Sequence, residues 1–412
     1  MKINARYNTH TLPNGLRIIH LPQDSEVVYC GYAINAGARD EAPEEEGLAH
    51  FCEHMTFKGT ARLTPIQIIN SLELVGGELN AFTAKEETVY YASVLSQHFS
   101  KAVELLTEIV FHSVYPQHEI NKEIDVVCDE IESYRDSPAE LIYDEFENEI
   151  LCGSSLGHNV LGTRESVKSF NTADCARFTK RLYLPSNSVF YVSGNISFAS
   201  LIKRLEKLFA DTEMAVLPTR EALPTVTIAQ KRKDMMEMQT HQTHVMIGTA
   251  ITEDIERWRY PLFLTNNLLG GPSMNSRLNL SLREKHGLVY TVEGIMTSYT
   301  DALLWTVYYG CDGRDTDKCL RLIRKQLNIL RSKPLSARAL AAAKRQIKGQ
   351  IALASENRES YAIDMAKQYL HRGTLKDNFR LYNNIDNITS EDIHALATEV
   401  LNDSRLFTLT YC

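Results

Sequence analysis

The feature that most restricts the fold of this chain is an internal repeat. Gly31-Tyr-Ala-Ile34 is echoed by Gly248-Thr-Ala-Ile251, 217 residues further on. Thr172-Ala-Asp174, followed by a helix-forming stretch and Leu184, is echoed by Thr389-Ser-Glu391 and Leu401. Phe190 and Phe407 fall in matching apolar runs at the same spacing. One spacing shared by separate stretches points to a duplicated domain. A chain of 412 residues then divides into two copies of about 200, each long enough to bury its own core. The join is expected near Thr212–Thr225, where Pro218 and Pro224 bracket a polar stretch. This gives expected domains of 1–211 and 226–412.

Residues 7–21 read as a hairpin turning at Asn14–Gly15. Val27–Ile34 is a nearly continuous apolar run, the pattern of a buried strand. Thr64–Pro65 is a helix start, an N-cap followed by proline at the first helical position, and that helix is expected to stop at Gly76–Gly77. Glu78–Thr83 and Thr88–Leu95 read as strands, the first short and carrying small or polar side chains that suit an edge. Ala102–Val114 and Glu119–Tyr134 read as helices. The second is acidic, and Val126, Val127 and Ile131 are expected to turn one side of it inward.

Between these elements lies Gly47-Leu-Ala-His50-Phe-Cys-Glu53-His54-Met55. On a helix His50 and His54 are one turn apart and project from one face, with Glu53 leaning toward it. Two imidazoles so placed can share one zinc ion, and a carboxylate between them can reach a metal-bound water. A third ligand is needed. Glu123 and Glu130 lie two turns apart on one face of the acidic helix, and periodicity alone does not choose between them. In the second copy His50 maps to Asn267, and Glu53 and His54 map to Gly270 and Gly271, so that copy holds no such metal.

The net charge of −8 and the lack of a long basic run argue against a nucleic-acid partner. Eight scattered cysteines without a Cys-x-x-Cys fit reduced thiols in a cytoplasmic protein better than a disulfide framework. No stretch has the length and apolarity of a signal peptide or membrane span, so no membrane association is expected.

The run Gly47–Thr60 around His50, Glu53 and His54 resembles the pitrilysin-type (inverzincin) zinc peptidases, among them the mitochondrial processing peptidase β-subunit and its small bacterial homologues. The resemblance extends through Ala36-Gly-Ala-Arg39-Asp-Glu41, Leu79-Asn-Ala-Phe-Thr83, Glu123 and Glu130 with Asp136-Ser-Pro138, Ser276-Arg-Leu278, and Arg283-Glu-Lys-His-Gly-Leu-Val-Tyr290. Cys52 occupies a variable position of the motif. The resemblance implies an α+β fold of two homologous domains, each a mostly antiparallel sheet layered with helices. It selects as third ligand the glutamate 76 residues past the second histidine, Glu130, with Glu123 as a supporting acidic residue counted with Glu53 as catalytic. It implies that the strand at Asn80–Ala81 takes substrate backbone as an added β-strand. It implies also that Arg283 and Tyr290 reach the active site from the second half, and that chains of this length pair as a homodimer, or as a heterodimer with a paralogue, around a chamber.

The expected activity is therefore a zinc-dependent endopeptidase acting on unfolded peptides, with Zn2+ on His50, His54 and Glu130. Glu53 serves as general base, and Tyr290 shares the developing oxyanion. The alternative is a non-catalytic peptide-binding subunit of a peptidase-like complex, against which retention of the whole motif argues.

Overall fold

The computed structural model describes residues 7–212, 214–215, 234–236 and 241–412. Most of the expected linker at Thr212–Thr225 lies outside them. The chain forms two compact units, each interleaved in sequence. The first gathers the described residues of Met1–Ile131, His158–Glu221 and Leu353–Asp377; the second those of Glu132–Gly157, Ala222–Ala352 and Asn378–Cys412.

The first unit is built on a six-stranded sheet, from β1 (Asn8–Thr11), β2 (Arg17–Pro22), β3 (Val27–Ile34), β4 (Glu78–Thr83), β5 (Thr88–Leu95) and β6 (Ser188–Gly194), in the order β1-β2-β6-β3-β5-β4. The β1–β2 hairpin turns at Asn14–Gly15 as expected. Asn14 Oδ1 accepts from Leu16 N at 3.1 Å, and Gly15 takes a φ of +88° where a Cβ would strike Ser186. One face of the sheet is covered by the histidine helix (Leu48–Thr56), the helix Phe99–His112, and further helices that supply Val127, Ile131, Phe178 and Leu205 to a single core. The other face is covered by the helix Arg358–Arg372. Its Ala362, Met365, Ala366 and Leu370 meet Ile19, Ala33, Val89, Val189 and Tyr191, and Arg17 donates to the Tyr369 and Leu370 carbonyls at 3.0 and 3.1 Å.

In the second unit β7 (Asp234–Met236), β8 (Thr243–Ile251), β9 (Val289–Ser298), β10 (Leu303–Cys311) and β11 (Phe407–Tyr411) pair in the order β7-β11-β8-β10-β9. This repeats β2-β6-β3-β5-β4, down to the one parallel pair in each, β2 with β6 and β7 with β11. The duplication and the mostly antiparallel α+β architecture are thus both present. The repeat spacing is not uniform. The helices aligned from Thr172 and Thr389 begin at caps Asn171 and Thr389, closed by Asp174 and Asp392, so that pairing was one residue out. One face of this sheet carries the helix Pro138–Ile150, whose Leu141, Ile142, Phe146 and Ile150 meet Met246, Leu304, Phe407 and Tyr411. Each unit therefore has one sheet face covered by a helix that the other half of the sequence supplies.

The acidic helix spans Gln117–Arg135. Val127 and Ile131 are buried as expected, but Val126 is 51% exposed. Neighbours on a helix are about 100° apart, so Val126 and Val127 do not share the centre of one face; Ile120, Val127 and Ile131 form the inner stripe instead.

Candidate metal centre

The histidine helix starts at Gly47, whose φ of +90° and contact with Gly162, 2.7 Å from where a Cβ would stand, leave room only for glycine. Its first amides are held by a buried carboxylate. Glu41 accepts from Gly47 N at 2.9 Å, Ala49 N at 2.7 Å and His158 Nε2 at 3.0 Å. The three glutamates just before the helix, at 44–46, suit its N-terminal dipole but do not cap it. Glu41 does the capping, and Glu45 instead pairs with Arg177 and Arg181. Leu48, Ala49, Phe51, Cys52 and Met55 anchor the helix in the core, which leaves His50, Glu53 and His54 on the remaining face.

The acidic helix brings Glu130 to that face. Glu130 carboxylate oxygens lie 3.8 Å from His50 Nε2 and 3.5 Å from His54 Nε2, and one donor atom from each of the three residues falls within 4.8 Å of the others. Donors around a tetrahedral zinc with bonds of about 2.0–2.2 Å stand about 3.3–3.6 Å apart, so this set fits a single zinc with small adjustment. Glu130 is also half-exposed and has freedom to close in. Burial, with the neighbouring His54, brings the His50 pKa down to about 3, which keeps a lone pair available. Burial acts the same way on His54. The hydrogen bond His54 donates to Glu123 and the charges of Glu130 and Glu53 outweigh it and hold His54 above its ordinary value.

Glu123 is turned away from the three donors. Its Oε1 stands 3.0 Å from His54 Nδ1 and its Oε2 2.6 Å from Lys58 Nζ. Glu53 is 8% exposed, and burial raises its carboxyl above the ordinary range. Its Oε2 accepts from Thr83 Oγ at 2.5 Å. Thr83 ends β4, which pairs only with β5 and so leaves one side of its backbone open among the described residues; Asn80 and Ala81 lie mid-strand, opposite Tyr91 and Tyr90. Lys58, Thr83 and Glu41 were not singled out from sequence. Only Glu41 had a usable signal, its place six residues before a glycine-started helix.

The family model described as Insulinase (Peptidase family M16) matches residues 18–164, and that of the Peptidase M16 inactive domain matches 169–347. The chain belongs to peptidase family M16. The second match covers the copy whose aligned positions are Asn267, Gly270 and Gly271, the half without the histidine motif. Among M16 relatives, a protein named an uncharacterized zinc protease in Bacillus subtilis is 34% identical over 396 residues, covering 96% of this chain and 95% of its own. The mitochondrial-processing peptidase subunit beta of Blastocladiella emersonii is 28% identical over 403 residues, covering 96% and 86%. In fold the chain resembles a protease from Helicobacter pylori (TM-score 0.90, 20% identity, 99% of both chains). It also resembles an M16-like peptidase from Alicyclobacillus acidocaldarius (TM-score 0.88, 20% identity, 100% and 99% coverage).

Of the M16 site residues expected in the second half, Arg283 lies on the short π-helical turn Asn279–Glu284, beside Glu284 at 3.9 Å. Tyr290 lies on the edge strand β9 and is 84% exposed. No helix among the described residues is long and apolar enough to cross a membrane.

Proposed function

We propose that this M16 chain is a zinc-dependent endopeptidase for unfolded peptides. The observation that carries the reading is the convergence of His50, His54 and Glu130 on one point, with the buried carboxylate of Glu53 on the same helix face. Zinc, when bound there, acidifies a water and polarises the scissile carbonyl. Glu53 takes the proton of the attacking water and returns it to the leaving nitrogen, so it ends as it began. Glu123 is a positioning residue, fixing the His54 ring so that Nε2 faces the metal. The open side of β4 at Asn80–Ala81 receives the peptide backbone as an added strand, which reads main chain more than side chain and admits many sequences.

In this reading residues 1–211 carry the metal ligands and the base, and Arg283 and Tyr290 of 226–412 grip the substrate and its oxyanion. Two such chains, or this chain and a paralogue, enclose the substrate. The eight cysteines are all free, which supports a reducing, cytoplasmic setting.

The test is zinc content and cleavage of a library of internally quenched, unfolded peptides by the full-length protein. About one zinc per chain, lost on His50→Ala, His54→Ala or Glu130→Ala, is expected. Glu53→Gln is expected to keep the zinc and lose activity by about 10²–10⁴-fold. Near-normal turnover in Glu53→Gln overturns the role of Glu53, and zinc binding without any cleavage by the unmodified chain favours the peptide-binding alternative.

A further inference from the structure

Thr83 is where the proposed peptide-binding strand touches the proposed base. Its hydroxyl has one proton and two oxygen neighbours: Glu53 Oε2 at 2.5 Å and Thr88 Oγ at 3.5 Å. Thr88, fully buried, spends its own proton on the Ala36 carbonyl at 2.8 Å. The proton of Thr83 therefore goes to Glu53, the much shorter contact and the charged acceptor. The backbone under Thr83 is also the firm end of β4. Thr83 pairs across to Thr88, and the turn beyond is closed by Ala84 N on the Glu87 carbonyl at 2.8 Å. That turn is tied back by Arg39 N on the Lys85 carbonyl, also at 2.8 Å. The open, peptide-accepting part of the strand lies two to three residues away.

We infer that Thr83 is a positioning residue for the proposed peptidase: by donating to Glu53 Oε2 it fixes the carboxylate plane and leaves Oε1 as the oxygen that takes the water's proton and passes it to the leaving nitrogen. No net proton is consumed, because Oε1 receives one and releases one while Oε2 keeps its hydrogen bond throughout. The same strand that seats the substrate backbone thereby sets the orientation of the base, so a peptide added at Asn80–Ala81 and the oxygen that serves it are in register through one continuous segment. The inference rests on the peptidase reading above.

The experiment compares full-length, zinc-loaded protein with its Thr83→Val and Thr83→Ser variants. Valine keeps the shape of threonine without the donor; serine keeps the donor. In Thr83→Val, kcat on the best-cleaved member of the quenched-peptide library is expected to fall on the order of 10- to 100-fold. KM, zinc content and melting temperature should stay near those of the parent, and Thr83→Ser should recover most of the rate. Crystal structures of the parent and Thr83→Val proteins should show the Glu53 carboxylate turned in the variant. Unchanged kcat in Thr83→Val, or equal losses in both variants with Glu53 unmoved, overturns the inference. If the zinc-loaded parent cleaves no peptide, the peptidase reading fails, and the orientation of Glu53 in the two structures then decides the role of Thr83.

Discussion

Glu123 Oε1 sits 3.0 Å from His54 Nδ1 while its other oxygen sits 2.6 Å from Lys58 Nζ, so one buried carboxylate joins a candidate metal ligand to a cation. A ring held this way can offer only Nε2 to a metal. Glu123→Ala should weaken zinc binding about 10- to 100-fold, since the imidazole loses both its orientation and the partner that raises its basicity. Competition with a chelator of known affinity reads this directly. Zinc binding equal to that of the parent would show that the carboxylate has no hold on the site.

Tyr290 has almost no packing to lose, being 84% exposed. Tyr290→Phe should therefore leave melting temperature and zinc content unchanged. If the phenol supplies an oxyanion donor, kcat should drop by up to about 10²–10³-fold. A silent Tyr290→Phe together with a silent Arg283→Ala would remove the second half from the chemistry.

Glu41 holds the first amides of the histidine helix and the ring of His158 with one side chain. Glu41→Ala strands buried donors and should cost about 1–3 kcal/mol of stability. It should also loosen zinc, because the helix start that carries His50 frays. Thermal melts of zinc-loaded and chelator-treated protein separate the two effects: zinc stabilises only the folded form, so the melting-temperature gap between them should shrink in the variant.

The turn into strand β5 and the helix Arg358–Arg372 are joined by Glu87, which lies 2.6 Å from Lys367 Nζ and 2.8 Å from His371 Nε2. Burial opposes its charge, but these partners win and bring its pKa to about 2 from an ordinary value of 4.5. A carboxyl depressed on folding adds stability above its unfolded value and loses it as pH falls toward the folded one. The Glu87 contribution, on the order of a few kcal/mol, is thus present above about pH 4.5 and lost between there and about pH 2. Urea melts across that window should show Glu87→Gln less stable than the parent at neutral pH and less sensitive to acid.

Much of this could be read from residues close in sequence. The Thr64–Pro65 helix start, the strands Glu78–Thr83 and Thr88–Leu95 and the histidine helix all announce themselves through local caps, periodicity and spacing. Glu130 needed the family's spacing, because Glu123 has the same periodicity; the structure distinguishes them by the side each presents to His54. The roles of Thr83 and Lys58 were invisible because their partners, 30 and 65 residues away, are set by tertiary packing. The inward reading of Val126 failed for want of a phase: an acidic helix with Ile120, Ile124, Val126, Val127 and Ile131 fits more than one inner stripe until something packs against it.

The helix Arg358–Arg372 also bears on how the protein is made. Ribosomes deliver about 5–20 residues per second, so the last strand of the first sheet, Ser188–Gly194, waits roughly ten to forty seconds before that helix exists. Throughout that wait Ile19, Ala33, Val89, Val189 and Tyr191 have no covering layer. A nascent chain in this condition is a client for chaperones, and one halted near residue 211 would not be a smaller working version of the protein. It would be a sheet with one apolar face bare to water.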